Sequence, residues 1–175
     1  MGDNVFHPGD SILFDDTADI ANITFGSLIQ PQSVTFNHDL PYSLTGAAGT
    51  GFGGGTGLTK SGSGTLTLGG PASTFTGPVT VNGGVLNLSN GEALGYNSGV
   101  TIASGARLNL NGHAPANQGR HYSYTFAGDG GDGAGNVGAI TTTGGDIYAS
   151  AGILNLALSG DAEVGGNNGR FDIGR

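Results

Sequence analysis

The sequence predicts an all-β protein built as a parallel β-helix, or β-solenoid, with coils of about 20–24 residues. Three observations carry this prediction. A short phrase recurs about every 21 residues, as VTVNGGVLNL at 79–88 and as VTIASGARLNL at 100–110. Each copy alternates apolar and polar residues, which is the spacing of a β-strand, and no long window shows helical spacing. Such a unit cannot bury its own apolar face, so it must stack on its neighbours.

The predicted strands are short, and each has one apolar side. Val79 and Val81 point to one face and Thr80 to the other, because successive residues of a strand alternate. Asn87 opposes its two leucine neighbours in the same way. The same in-out-in pattern recurs in other segments, namely 23–25, 34–36, 66–68, 100–102, 108–110, 124–126 and 154–156. We therefore expect the outward side chains to form ladders along the rod, with these members: Thr80, Asn87, Thr101, Asn109 and Asn155.

The connections between strands decide how the strands pair. Asn82-Gly83-Gly84 tolerates the positive φ of a tight turn, so 79–88 taken alone would also suit an antiparallel hairpin. The recurrence favours the stacking of like strands, parallel and about 4.8 Å apart. With this coil length, the chain is predicted to form about eight coils.

We expect one domain over 1–175, with unequal regularity along it. The repeats are most regular over 58–112. The Gly- and Asp-rich segment 127–139 is interpreted as a loop insertion, and 46–57 is a second Gly-rich stretch. The first of these takes the place of a Leu-Asn-Leu strand that the repeat predicts between 110 and 153.

Composition excludes several classes of function. The net charge is −8 with only five basic residues, so a nucleic-acid partner, which requires clustered lysine and arginine, is not expected. There is no cysteine for a disulfide framework, and no apolar run approaches the roughly 20 residues that span a bilayer. The opening MGDNVFHPGD lacks the basic and apolar regions of a signal peptide. If the protein is exported, we expect that its signal was removed or that the sequence is a piece of a longer one.

Residues 58–95 resemble a known family. The resemblance lies in LTKSGSGTLTL at 58–68, Phe75-Thr76-Gly77, VTVNGG, the Leu-x-Leu that follows and ALG at 93–95. Together they are similar to the autotransporter-associated β-strand repeat, found in passenger domains of secreted bacterial proteins. The resemblance implies a right-handed parallel β-helix, extracellular or at the bacterial cell surface, with a structural or adhesive role and no catalytic residues. Since the chain ends at RFDIGR without that family's membrane anchor, we expect a fragment of a longer passenger or a relative exported by another route.

A Gly-Asp segment is the candidate cation site. Asp129 and Asp132 in GDGGDGAGN are similar to the Gly-Asp turns that bind Ca²⁺ in other β-rolls, and hard oxygen ligands suit this ion. Those sites need the motif repeated in successive coils, and here it occurs once. A polar loop without a cofactor is therefore the favoured interpretation, and a Ca²⁺ site is the alternative. For Asp15, Asp16 and Asp19, a solvated face is likewise favoured over a cation site.

The sequence contains no familiar catalytic motif, so the chain is not expected to be an enzyme. The four histidines are dispersed over predicted loops, where we expect solvated side chains: His7, His38, His113 and His121. A carbohydrate-active or carbohydrate-binding β-helix is the alternative, and glycoside chemistry needs two facing carboxylates. In 58–112 the only acid is Glu92 and the only bases are Lys60 and Arg107, so such a pair would have to come from the ends of the chain.

The expected function is therefore structural or adhesive. The Asn and Thr ladders offer many weak polar contacts to a surface glycan or a cell-surface partner. Tyr96, Tyr122 and Tyr148 are aromatic residues not assigned to the core and are candidates for stacking on sugars. A threonine array for ice binding is not favoured, because Thr is a common strand residue. An uncapped β-helix exposes unpaired backbone groups, so we also expect end-to-end stacking into homo-oligomers or filaments.

Overall fold

The computed structural model describes residues 6–70, 73–113, 123–131, 138–147 and 155–166. These residues form sixteen strands and no helix. The strands are β1 Ser11–Asp15, β2 Asn22–Phe25, β3 Leu28–Ile29, β4 Ser33–Asn37, β5 Tyr42–Gly46, β6 Gly51–Phe52, β7 Leu58–Ser61, β8 Thr65–Leu68, β9 Val79–Val81, β10 Val85–Leu88, β11 Val100–Ile102, β12 Arg107–Asn109, β13 Ser123–Gly128, β14 Ile140–Thr142, β15 Asn155–Ala162 and β16 Val164–Gly166.

The strands stack into two long parallel sheets. The first sheet has seven strands in the order β1-β4-β7-β9-β11-β13-β15, and the second has seven in the order β2-β5-β8-β10-β12-β14-β16. A third, two-stranded sheet pairs β3 with β6. Successive strands of the chain lie in different sheets, and paired strands belong to adjacent coils. The predicted β-solenoid is confirmed, with about six turns.

The strand register explains the repeated phrase in the sequence. Val79 pairs with Leu58 on one side and with Val100 on the other, which reproduces the spacing of the repeat. In the second sheet Leu86 pairs with Leu66 and Leu108. Like strands therefore stack on like strands, as predicted. The hairpin alternative for 79–88 is wrong, because β9 and β10 lie in different sheets.

Inward side chains form continuous apolar columns between the sheets. One column of the first sheet contains Val34, Leu58, Val79, Val100 and Tyr124, and one of the second contains Tyr42, Leu66, Leu86, Leu108 and Ile140. Each of these side chains is buried. Full burial of one such side chain contributes about 1.5–3 kcal/mol, so the columns are the main source of stability.

Aromatic side chains fill the first coils. They also line the third side of the solenoid, which is the side that contains β3 and β6. The rings of Phe14 and Phe36 stack with centroids 4.4 Å apart. On the third side, the ring of Phe25 meets that of Phe52 edge-on at 4.8 Å. Backbone bonds continue this side in the next coils, since Thr74 N donates to the Phe52 carbonyl at 2.8 Å. The Gly-rich stretch 46–57 is thus part of the wall, and not a protrusion.

The coil count and one strand position differ from what the sequence indicates. The described residues form about six turns where about eight coils were expected, because coil length varies: Leu108 pairs with Ile140, 32 positions further on. The segment 154–156 repeats the Leu-Asn-Leu sequence of 86–88, which lies in the second sheet. Its first residue lies outside the described residues, and Asn155 pairs with Ser123 in the first sheet.

No helix in the described ranges is long and apolar enough to cross a membrane.

Candidate binding surfaces

A column of threonines runs along the outer face of the first sheet. The threonine column consists of residues in direct register across five strands: Thr35, Thr59, Thr80, Thr101 and Thr125. Leu13 precedes the column and Ala157 follows it. Thr101 is exposed and the other four are half-buried. The structure therefore brings the predicted Thr80 and Thr101 together, and it adds Thr59.

An asparagine pair lies on the outer face of the second sheet. The side-chain nitrogen of Asn109 donates to the side-chain oxygen of Asn87 at 2.8 Å and to the hydroxyl of Thr143 at 2.9 Å. The side-chain oxygen of Asn109 accepts the backbone N–H of Asn111 at 3.0 Å. The structure thus brings the predicted Asn87 and Asn109 into contact. Exposed Asn155 belongs to the first sheet, so it is not a member of this ladder.

The side chains of the threonine column and of the Asn87–Asn109 pair are polar and uncharged, although Arg107 lies on the same outer face as Asn109. Their hydroxyl and amide groups repeat at the spacing of β-strands, about 4.8 Å. Such groups both donate and accept hydrogen bonds, and none of them is a nucleophile or a base in the absence of an activating partner. The surfaces are suited to repeated weak contacts with another polar surface.

The Gly-Asp segment is described in part. The carboxylate of Asp129 accepts the backbone N–H of Gly131 at 2.9 Å, and β13 extends to Gly128. The predicted partner Asp132 lies outside the described residues. The described part of the chain has no group of three or more His, Asp or Glu side chains suited to a metal ion. Binding of Ca²⁺ at this segment stays a prediction.

A shallow depression lies beside Asp129 at the last coils. It has a volume of about 490 Å³, and its lining includes Ser104, Asp129, Asp161 and Glu163. Backbone bonds fix its floor, since Glu163 N donates to the Gly128 carbonyl at 2.9 Å. Asp161 in β15 and Glu163 in the connection to β16 were not predicted to form a site, because this segment of the sequence is not a copy of the repeat.

A buried lysine lies at the corner between the two long sheets. Lys60 stands in an inward column between Phe36 and Val81, and none of its surface is exposed. Its ammonium donates to three backbone carbonyls, those of Ser61 at 2.6 Å, Gly62 at 3.0 Å and Gly83 at 3.3 Å. Desolvation lowers the pKa of Lys60 to about 8, against the opposing attraction of Asp39 and Asp16.

His38 lies inside the same corner, where a solvated side chain was predicted. That prediction is wrong: His38 is 1% exposed, and its ring packs on Tyr42 with centroids 4.6 Å apart. Nδ1 of His38 is hydrogen-bonded to the carbonyl of Leu40. Desolvation lowers the pKa of His38, and the charge of Lys60 lowers it further, whereas the Leu40 bond and the carboxylates of Asp16 and Asp39 raise it.

Two carboxylates cover this corner from outside. The Asp16 carboxylate accepts the backbone N–H groups of Asp39 and Leu40 at 2.9–3.0 Å. The Asp39 carboxylate accepts the backbone N–H and the hydroxyl of Ser63, both at 2.8 Å. These bonds lower the pKa of Asp39. Asp16 was predicted to lie on a solvated face; it is exposed, and its carboxylate also binds the next coil. We name these five residues the corner cluster: His38, Lys60, Tyr42, Asp16 and Asp39.

The other singled-out residues are scattered. His7 is exposed and its backbone N–H donates to the carboxylate of Asp10 at 2.8 Å. His113 and Tyr96 are half-buried in connections between strands. His121, Tyr122 and Tyr148 lie outside the described residues. No shared site is formed by those that are described.

Comparison with known proteins gives one match. Residues 58–88 match the family model of the passenger-associated-transport-repeat. The match begins at the first residue of β7 and ends at the last residue of β10, so it covers two successive strands of each long sheet. It confirms the resemblance to passenger repeats. No curated protein and no solved structure matches the chain.

Proposed function

We propose that this chain is a non-catalytic, structural β-solenoid segment of a bacterial passenger protein, placed outside the cell or at the cell surface. The observation that carries this proposal is the passenger repeat at 58–88, which coincides with the most regular coils of the solenoid. The parallel stacking also fits a spacer, because each added coil lengthens the rod by one strand spacing.

We further propose that the outer faces are adhesive. The threonine column and the Asn87–Asn109 pair offer repeated hydrogen-bonding groups to a surface glycan or a cell-surface protein. The test is binding of the fluorescently labelled chain to bacterial and host cells, with Thr80→Lys/Thr101→Lys as the variant. Binding that falls in this variant and persists in the matched Asn22→Lys variant on the other sheet would support the threonine column. Equal binding by all three proteins would contradict its role.

End-to-end stacking is the third part of the proposal. β1 and β15 are the edge strands of the first sheet, and β2 and β16 are those of the second. If β15 pairs with β1 of a second copy, the inward columns continue, with Leu158 against Phe14. Leu158 is 65% exposed, so this contact would remove apolar surface from water. Such a head-to-tail contact does not close on itself, and it produces filaments.

Negative-stain electron microscopy at low and high protein concentration tests the stacking. Filaments that lengthen with concentration, and that are lost in Leu158→Asp, would support it. Thr101→Asp is the matched control, because it adds the same charge on a lateral face. Short rods at every concentration would contradict the stacking and would leave the structural role unchanged.

A carbohydrate-active β-helix is the alternative function, and the acidic depression at the last coils is the place for it. Asp129, Asp161 and Glu163 line this depression, and a pair of carboxylates is what glycoside hydrolysis requires. Release of reducing ends from bacterial or host polysaccharides, lost in Asp161→Asn/Glu163→Gln, would favour an enzyme. Absence of release from such polysaccharides by the unaltered chain would favour the structural role.

A further inference from the structure

The corner cluster places two titratable bases inside the solenoid, and the proposed structural role makes no use of them. Neighbouring coils show what this position normally holds. The inward column that contains Lys60 has Phe36 before it and Val81 and Ile102 after it. A charged side chain there costs desolvation energy unless it is fully hydrogen-bonded.

The ammonium of Lys60 is held by carbonyls of two successive coils. Ser61 and Gly62 belong to its own coil, and Gly83 belongs to the next one. The cation is therefore part of the link between coils at this corner. Any second positive charge beside it would oppose that link.

His38 is the group that can acquire such a charge. Its Nδ1 is hydrogen-bonded to Leu40, and its buried Nε2 has no hydrogen-bond partner among the described residues. Lys60 of β7 is its cationic neighbour, since the Ser61 carbonyl that binds the Lys60 ammonium also accepts the backbone N–H of His38 at 3.4 Å. The ring of Tyr42 in β5 packs on the imidazole, and the Tyr42 hydroxyl donates to the carbonyl of Asp15 at 2.5 Å. The carboxylates that attract a protonated imidazole, Asp16 and Asp39, already accept backbone N–H groups.

We propose that the corner cluster is an acid-sensitive latch: protonation of His38 beside the Lys60 ammonium opens the corner and loosens the coils at 33–68, while the strands at 100–110 stay closed. The protonated ring would have a buried N–H without an acceptor and a cation as its neighbour, so the closed corner disfavours the proton. Opening exposes both groups to water, where each is stable in its charged form.

Proton linkage sets the size of the effect. In the opened corner His38 titrates at its ordinary value of about 6.5, and in the closed corner its pKa is lower. Between these two values the opened state carries one more proton than the closed state. The opening equilibrium constant then rises up to tenfold for each pH unit of acidification.

Amide hydrogen exchange of the full chain tests the latch. After correction for the intrinsic exchange rate, protection of peptides from 33–68 should fall up to tenfold per pH unit as the pH drops from about 6.5 to 5. Protection of peptides from 100–110, which have no hydrogen bond to 33–68 among the described residues, should not change. An equal loss in both regions, or no loss in either, would overturn the proposal.

A histidine variant and its control distinguish the latch from other effects of low pH on amide protection. His38→Gln keeps a polar side chain and removes the titration, so the pH dependence at 33–68 should vanish. His7→Gln, at an exposed position, should keep it. If His38→Gln does not fold, the imidazole resonances of the unaltered chain decide the question. Titration of His38 below 6.5, together with the loss of protection, supports the latch, and titration at or above 6.5 contradicts it.

Discussion

Asn109 donates a side-chain hydrogen bond to Asn87 in the preceding coil, with 2.8 Å between nitrogen and oxygen. The two residues are also direct partners in the register of β10 and β12. The backbone ladder and a side-chain ladder therefore join the same two coils. A regular outer face of this kind adds to coil stacking as well as to the polar surface.

Substitution of Asn109 tests how much this side-chain ladder contributes. Asn109→Ala removes the bonds to Asn87 and Thr143 and the cap on the Asn111 N–H. We expect the free energy of unfolding to fall by about 1–2 kcal/mol, since a hydrogen bond contributes about 0.5–1.5 kcal/mol net. Urea denaturation followed by far-UV circular dichroism measures it. Asn87→Ala, which leaves two of the three bonds intact, should cost less; an equal loss in both variants would contradict the network.

Truncation of a buried leucine should lower the free energy of unfolding far more than truncation of an exposed one. Leu86 is fully buried between Leu66 and Leu108, so Leu86→Ala should lower the free energy of unfolding by about 2–5 kcal/mol. Leu13 is 60% exposed, and Leu13→Ala should change it by no more than about 0.5 kcal/mol. Thermal unfolding of both variants gives the comparison. Similar melting temperatures would mean that the Leu column is not the core.

Glycine should be required at the turns between the two long sheets, because of positive φ at Gly84 and Gly105 and because of close backbone contact at Gly84. Gly84 has φ = 63°, and a Cβ there would lie 2.4 Å from the Gly64 carbonyl oxygen. Gly105 has φ = 82°, and a Cβ there would meet nothing within 4 Å. Gly105→Ala should cost about 1–2 kcal/mol from backbone strain alone, and Gly84→Ala should cost clearly more. Chemical denaturation decides this, and equal costs would mean that the coils relax around the added methyl group.

Stability should rise on the alkaline side of neutrality. The pKa of Lys60 is about 8 in the folded state against 10.5 for a solvated lysine, so the unfolded chain holds the proton more tightly. Between these values the free energy of unfolding should increase by about 1–2 kcal/mol, after allowance for solvent screening. The raised pKa of Tyr42 reverses the trend above about pH 10.

Lys60→Met is the variant that checks this alkaline effect. It fills the same volume without a charge, so the rise between about pH 8 and 10 should disappear. Urea midpoints of both proteins over this pH range provide the measurement. A variant that keeps the rise would show that another group causes it.

The two long sheets were predictable because their strands repeat. Val79-Thr80-Val81 and Val100-Thr101-Ile102 share one pattern, and register follows from the repeat when like strands stack. The third side was not predictable, since Phe52 and Phe75 are single aromatic residues in Gly-rich stretches with no period of their own. Asn155 was misplaced because strands of both sheets share the in-out-in pattern, and pattern alone does not distinguish the sheets.

The corner cluster was missed for a different reason. Lysine is rarely buried without partners, and Lys60 was counted only as one of five basic residues, with no place in the core predicted for it. The sequence does contain a signal for its burial. Leu58-Thr59-Lys60 aligns with Val79-Thr80-Val81 in the repeat, which places Lys60 at an inward position. The three carbonyls that satisfy its ammonium come from glycine-containing turns, whose backbone course the sequence does not fix.

Pairing in the two long sheets has an evolutionary consequence. Every strand there meets only the coil before it and the coil after it. If 79–99 were deleted, Leu58 would pair with Val100 and Thr59 with Thr101. These contacts are of the same kind as the present ones, in which Leu58 pairs with a valine and Thr59 with a threonine. Whole coils can therefore be gained by duplication or lost by deletion without new core chemistry. The length of such a rod is then inherited in steps of about 4.8 Å, and selection can adjust its reach one coil at a time.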